Sequence, residues 1–238
     1  MTSRDELALA HRALRHAADP ARAMALQRYF KTGPGEYGEG DRFLGLRVPQ
    51  VRVVARQCAK LSLPAIRSLL RSAWHEERQL ALLVMVEQYR RGTQQERDAL
   101  FHTYLANTRH INNWDLVDVS ATRIVGAHLY PEGVDTLERL ARSSLLWERR
   151  IAIMATAHWI ATQEFGPTLQ LARQLLHDEH DLIHKAVGWM LREVGKRDHR
   201  SEEAFLAEHA HEMPRTMLRY AIEHFPGRLR QHYLRRRS

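Results

Sequence analysis

Helical periodicity running nearly end to end, no alternating strand pattern, and a segment recurring about every 35 residues together predict an all-α chain. The architecture they imply is an α-solenoid of HEAT-like helical repeats. The recurrence is read from Glu77-Arg78-Gln79-Leu80-Ala81, which matches Glu148-Arg149-Arg150-Ile151-Ala152. Ile183-His184-Lys185-Ala186-Val187 and Met217-Leu218-Arg219-Tyr220-Ala221 fit the same frame. Ala81 to Ala152 is 71 residues, two periods, while Ala152 to Val187 is 35 and Val187 to Ala221 is 34. With two helices per unit, such an array is held by nearest-neighbour contacts. A non-repetitive helical bundle is the alternative. We expect one HEAT-like repeat domain over residues 1–238. The second helix of each pair tends to line a concave face, and Arg150, Lys185 and Arg219 recur at that position, so the expected groove is basic.

The elements follow in order. Ser3, with Glu6 three residues on, predicts a capping box for a first helix through Leu14. Asp19-Pro20 ends that segment and opens a second helix, with Asp19 as N-cap and Pro20 at the first helical position. This helix carries Met24, Leu26 and Tyr29. The segment Thr32-Gly33-Pro34-Gly35-Glu36-Tyr37-Gly38-Glu39-Gly40-Asp41 is the one long loop. It is not a phosphate-binding P-loop, because no Gly-Lys-Ser/Thr follows. Pro49 sits near the start of a helix containing Val51, Val54 and Cys58, and Pro64 near the start of the next.

Charge narrows the partners. The 238 residues carry 36 Lys and Arg against 28 Asp and Glu, a net +8. That balance favours a polyanion such as nucleic acid, because each Lys or Arg on a phosphate releases counterions. A basic protein without such a partner is the plainer alternative. Cys58 is the only cysteine, which excludes a disulfide framework and a cysteine-based metal site. No apolar run reaches membrane-spanning length and the first residues lack a signal core, so a cytoplasmic protein that does not engage membranes is expected.

Chemistry concentrates in Asn113-Trp114-Asp115-Leu116-Val117-Asp118. On a helix, Trp114 and Asp118 share one face a turn apart. An indole beside a carboxylate suits a site that holds a cation and lets positive charge develop. Asp118, set among Leu116, Val117 and Val119, risks burial unless it is paired or used. Asp115 is the rival acid, and reads equally well as first-turn helix charge. Of Arg149 and Arg150, one should face the groove and the other solvent. Gly188, just before Trp189, sits inside a helix and implies close approach of something, most simply another helix. The histidine clusters His177-Asp178-Glu179-His180-Asp181, His209-Ala210-His211 and His75-Glu76-Glu77-Arg78 lack the His-Glu-x-x-His spacing of a zinc protease and read as solvent-facing. No metal or cofactor is expected. Arg235-Arg236-Arg237 reads as a frayed basic end.

Taken together, Arg28-Tyr29, Phe43-Leu44-Gly45-Leu46-Arg47-Val48-Pro49, the Asn113–Asp118 motif, Trp147-Glu148-Arg149-Arg150-Ile151-Ala152-Ile153 and Lys185-Ala186-Val187-Gly188-Trp189-Met190-Leu191-Arg192-Glu193 resemble the AlkD family of bacterial DNA alkylation-repair glycosylases over nearly the whole chain. The resemblance implies hydrolysis of the N-glycosidic bond of cationic alkylated purines, 7-methylguanine and 3-methyladenine, without metal or cofactor, in base excision repair by a monomer acting on double-stranded DNA. It puts the catalytic aspartate on Asp118, flanking tryptophans on Trp114 and Trp189, the groove arginine on Arg150 and the second-helix aromatic on Tyr29. Lys185 and Arg219 join the expected DNA-binding set through the repeat. Asn113 stands where some members carry a second tryptophan, and the glycine-rich loop is longer than in compact members; both departures suggest a different subgroup with its own lesion range. The alternatives are a catalytically silent HEAT-repeat protein that binds damaged or branched DNA, and a protein-binding solenoid, which would present an apolar or acidic concave face.

Overall fold

The first helix, α1 (Ser3–His16), is capped one residue earlier than the sequence suggested. Thr2 and Asp5 form the capping box, with Asp5 N–H donating to the Thr2 hydroxyl at 3.2 Å and Thr2 N–H donating to the Asp5 carboxylate at 2.9 Å. Glu6 is freed from that role and is buried instead. Its carboxylate accepts from Ser62 N–H at 3.0 Å and from the Ser62 hydroxyl at 2.6 Å, 56 residues away in sequence. Ser62 is the N-cap of α4 (Leu63–Leu70), so the carboxylate from one helix satisfies the orphan amide of another.

The structure is a computed structural model that describes residues 2–235. All regular elements among them are helical; one isolated bridge joins Arg42 and Trp74. The chain divides into two compact units, Met1–Ile124 and Val125–Ser238. The first contains α1, α2 (Pro20–Tyr29), α3 (Val48–Gln57), α4, α5 (His75–Arg91), α6 (Gln94–Leu105) and α7 (Trp114–Ala121). Asp19 caps α2 as its residue type predicts, accepting from Arg22 N–H at 3.0 Å. Pro49 and Pro64 lie in the first turns of α3 and α4, while Cys58 ends α3 as its C-cap.

α5 is the axis of the first unit. Leu80, Ala81, Leu82, Val84 and Met85 are fully buried, which at about 1.5–3 kcal/mol for each large side chain makes this helix the centre of the core. It packs against α3, α4 and α7. Its first five residues, His75 to Gln79, are all polar and all buried as well. One of them shapes the segment after the loop. The Glu76 carboxylate accepts from Leu44 and Gly45 N–H at 2.8 Å each and from Leu46 N–H at 3.1 Å. Gly45 has φ +91°, and a Cβ there would lie 2.0 Å from the Asp19 carbonyl, so only glycine lets this turn lie against the start of α2.

The second unit contains α8 (Ala127–Leu129), α9 (Val134–Ala141), α10 (Leu146–Ala155), α11 (Ala157–Ala161), α12 (Gly166–Gln174), α13 (Asp181–Gly195), α14 (His199–His209), α15 (Arg215–Ala221) and α16 (Gly227–Arg235). Gly188 does mark a close approach. A Cβ there would fall 2.4 Å from the Met217 carbonyl and 2.6 Å from Tyr220 Cβ, so α13 and α15 pack backbone to backbone. Arg236 and Arg237 of the basic end lie outside the described residues.

The 71- and 35-residue spacings of the sequence repeat return as hydrogen bonds at three helix starts. A side-chain oxygen two residues ahead of the N-cap's own amide receives that amide: Trp74 N–H to Ser72 Oγ at 3.0 Å, Leu145 N–H to Ser143 Oγ at 3.0 Å, and His180 N–H to Asp178 Oδ1 at 2.9 Å. Six residues on, a basic side chain reaches back to the carbonyl of that same leading residue. Arg78 donates to Ser72 O at 2.7 Å, Arg149 donates to Ser143 O at 3.0 Å, and His184 bonds Asp178 O. These bonds satisfy groups that a helix start otherwise leaves unpaired, and they explain why the repeat holds its frame.

Candidate functional site

The site in the first unit is built on the start of α7. Asn113, extended in its backbone and wholly buried, is the N-cap and accepts from Trp114 N–H at 2.9 Å. Trp114 and Asp118 therefore lie one helical turn apart on one face. Trp114 is half-buried because Phe30 stacks on it at 5.3 Å, and Phe30 in turn stacks on Phe43 at 5.2 Å. Tyr29 meets Trp114 edge-on at 6.1 Å and is 63% exposed. The end of α2 thus brings two aromatic rings against one tryptophan, and Phe43, from the turn after the glycine-rich loop, backs one of them.

Beneath the rings lies a buried polar system. His75 Nε2 pairs with Asp115 Oδ2 at 2.8 Å, and Gln79 Nε2 donates to the same oxygen at 2.9 Å. His75 Nδ1 pairs with Asp41 Oδ2 at 3.3 Å. Asp41 also accepts from Asn112 Nδ2 at 3.0 Å and from Asn113 Nδ2 at 3.5 Å. The Arg78 guanidinium stands 2.7 Å from Asp41 Oδ1, but Nη2 makes no well-directed hydrogen bond, so this contact is chiefly Coulombic. Burial opposes charge on His75, but Asp115 by charge and hydrogen bond, with Asp41 adding a second bond, pushes its pKa up to about 9. Burial likewise opposes ionisation of Asp41, yet His75, Arg78 and Asn112 hold its pKa below the usual carboxylate value. His75 is therefore an imidazolium between two carboxylates at neutral pH. A cavity of about 130 Å³ opens beside it, lined by Tyr29, Phe30, Phe43, Gln79 and Asp115 among others.

The two aspartates of the motif consequently differ. Asp115 is 8% exposed and its Oδ2 is committed to His75 and Gln79. It sits in the first turn, as sequence suggested, but as a buried anchor rather than a solvated helix charge. Asp118, a turn later, is half-buried. Tyr104, fully buried, has its pKa raised first by burial and further by the charge of Asp118, against a lowering by its bond to Ser120.

In the second unit the expected residues gather on α10, α13 and α15. Trp189 is half-buried on α13 and its Nε1 donates to Glu193 at 3.2 Å. Lys185, one turn before it, pairs with Asp181 at 2.7 Å. Arg219, on α15, is exposed. Arg150 is only 4% exposed and donates through Nη1 to the Leu182 carbonyl at 2.6 Å, which ties α10 to the first turn of α13. Arg149 does not run out to solvent either. Its Nε donates to Asp178 at 2.6 Å and its Nη1 to the carbonyls of Ser143 and Ser144.

His75-Glu76-Glu77-Arg78, read from sequence as solvent-facing, is buried, and with Asp41 and Asn112, to which sequence assigned no role, it forms the polar core of the first unit's site. The signal lay in the repeat, which aligns the His75–Gln79 stretch with Trp147 and Arg150, themselves buried. Of the other histidines, His180 is the N-cap of α13, His177 pairs with Glu212 at 3.6 Å and His209 bonds Glu212 at 3.1 Å. No group of three or more His, Cys, Asp or Glu stands ready to hold a metal among the described residues, and no helix there is long and apolar enough to cross a membrane.

A family model described as DNA alkylation repair enzyme matches residues 10–225. Among solved structures, a predicted DNA alkylation repair enzyme from Enterococcus faecalis is similar in fold, with TM-score 0.68 at 17% identity over 88% of this chain and 97% of that one. No curated protein sequence matches.

Proposed function

From the premise that this chain belongs to the DNA alkylation repair enzyme family, we propose that it is a DNA glycosylase that removes cationic alkylated purines, 7-methylguanine and 3-methyladenine, from double-stranded DNA. On this reading it initiates base excision repair as a cytoplasmic monomer of HEAT-like repeats. The observation that supports it is the placement of Asp118, half-buried one turn after Trp114 on the same face of a helix whose first turn is anchored by Asp115 on His75 and Gln79.

The chemistry asks little of an acid. An N7- or N3-alkylated purine already bears positive charge and leaves readily. As the C1′–N bond breaks, the electron pair goes to the base and positive charge builds on the sugar. The Asp118 carboxylate stabilises that charge, the kind of preorganised electrostatic aid that carries much of enzymatic rate, and positions the water whose oxygen bonds C1′ as its proton passes to the carboxylate and on to solvent. Indole faces attract the same cation, about 0.5–2 kcal/mol each, and this role is proposed for Trp114 and Trp189. Tyr29, Lys185 and Arg219 are the proposed contacts to the DNA backbone, with Arg150 acting from its buried place by fixing the first turn of α13.

The test is release of 7-methylguanine from methylated duplex by the purified protein. Asp118→Asn should slow single-turnover release at least about 100-fold while duplex affinity changes little. Full activity in that variant would sink the assignment, and wild-type protein that binds duplex but releases no base would favour a silent DNA-binding solenoid.

A further inference from the structure

We infer that His75, clamped between Asp41 of the glycine-rich loop and Asp115 of α7, is the positioning residue that sets Trp114 and Asp118 for base release. The inference rests on the glycosylase reading above.

Two separate physical paths lead from this one ring to the reacting face. The first is polar: His75 Nε2 holds Asp115, which is the neighbour of Trp114 and lies three residues before Asp118 on the same helix. The second is aromatic: the imidazole stacks on Phe43 at 4.6 Å and meets Phe30 at 5.1 Å, and Phe30 stacks on Trp114. At the other ring nitrogen, Asp41 brings in the end of the loop, and the same carboxylate receives Asn112 and the N-cap Asn113. The start of α7 is thus held by side chains on both sides of Trp114. A small displacement of that turn would move indole and carboxylate together. An error near 1 Å in such geometry costs about 100-fold in rate. The glycine-rich loop, which has no phosphate-binding motif, acquires a role in this arrangement, because it delivers Asp41.

His75 is 2% exposed and spends both ring nitrogens on Asp41 and Asp115, so its effect should fall on rate and spare binding. In His75→Ala the single-turnover rate of 7-methylguanine release should fall by about 100-fold, with duplex Kd within about threefold of wild type. Because the ring lines an accessible cavity, added imidazole should occupy the vacated space between the two carboxylates and restore much of the rate. Asp41→Asn keeps the shape and removes one charge, and should slow release less, by about tenfold, again with Kd held; it decides the matter if His75→Ala fails to fold by its melting profile. Rates within twofold of wild type in the folded variants overturn the inference. So does a loss of Kd in step with rate and without imidazole rescue, which would mark a merely structural role. Wild-type protein that releases no base overturns the glycosylase reading itself, and this inference with it.

Discussion

The start of α5 in the first unit and the start of α10 in the second share one design and use it differently. Both open on a serine whose hydroxyl receives the amide two residues on, and both fold an arginine back to that serine's carbonyl. In the second unit the remaining contacts close locally on the repeat: Arg149 on Asp178, the leading residue of the next helix start, and Arg150 on a backbone carbonyl of α13. In the first unit they converge on two carboxylates, Asp41 and Asp115, with a protonated imidazole between them. A repeat frame supplies rigidity at either place. On the proposed reading, the carboxylate–imidazole–carboxylate system of the first copy turns a structural joint into the support of a site.

The sharpest way to break this comparison is to remove the shared arginine from each copy. Arg78→Met takes the guanidinium from buried Asp41 and leaves it the His75 imidazolium; losing one partner of a buried pair costs about 3–5 kcal/mol, and the remaining cation holds the loss to the lower end of that range. Arg149 is more exposed than Arg78, so Arg149→Met should cost clearly less. Denaturant unfolding of the two variants measures both, and equal losses would mean that the copies are energetically alike.

Next in size is the pH dependence of stability, which should fall with rising pH in both units, but over different windows and for different reasons. His75 has its folded pKa raised from 6.5 to about 9, so its stabilising charge is fully present below pH 6.5 and is lost as pH rises through about 9. Glu202, in the second unit, is pushed from 4.5 up to about 8, by burial first and by Glu203 next, against Arg192. Its folded form holds a proton that the unfolded form releases, so stability falls as pH rises from 4.5 toward 8. Glu202→Gln should therefore melt several degrees above wild type at pH 8 and near it at pH 4.5, whereas the deficit of His75→Gln should shrink above pH 9. Differences that stay flat with pH would remove both groups from the argument.

The smallest effect separates the basic repeat positions. Arg219→Ala should reduce the salt slope of duplex binding by about one, and Arg150→Ala should leave the slope unchanged because the side chain is buried. A shallower slope in Arg150→Ala would return that arginine to the DNA backbone.

Much of the fold could be read from local chemistry. Asp19-Pro20, Pro49 and Pro64 mark helix starts through preferences that act within one turn, and Gly188 marks a close contact because nothing larger fits there. The repeat is legible as well, although its physical content, a leading Ser or Asp and a basic residue six places later, lies in the hydrogen bonds of the folded chain. What escaped reading depends on partners far along the chain. Glu6 looked like half of a capping box because its true partner, Ser62, lies 56 residues on. His75-Glu76-Glu77-Arg78 looked like a solvated helix start, yet it is buried against Asp41 and Asp115, at separations of 34 and 40 residues. Of Arg149 and Arg150, one of which spacing sends to solvent, neither runs out: Arg149 meets Asp178 and Arg150 the Leu182 carbonyl. A polar residue declares its burial only through what it finds to bind, and spacing alone does not reveal that.

The glycine-rich loop has one further consequence. It is pinned at Gly38, whose N–H bonds Lys31 O at 3.1 Å and whose Cβ position would lie 2.5 Å from the Phe30 carbonyl, and again at Asp41. Between Lys31 and Gly38, at the tip, Gly35 N–H donates to the Glu39 carboxylate of the same loop at 2.9 Å, and a Cβ on Gly35 would meet open space. Added length at that tip is therefore expected to enter open space and to leave Asp41 in its place under the rings. The loop serves as a fixed address with a free margin, and its margin is where this molecule can carry a label, a graft or an evolutionary insertion without disturbing α7.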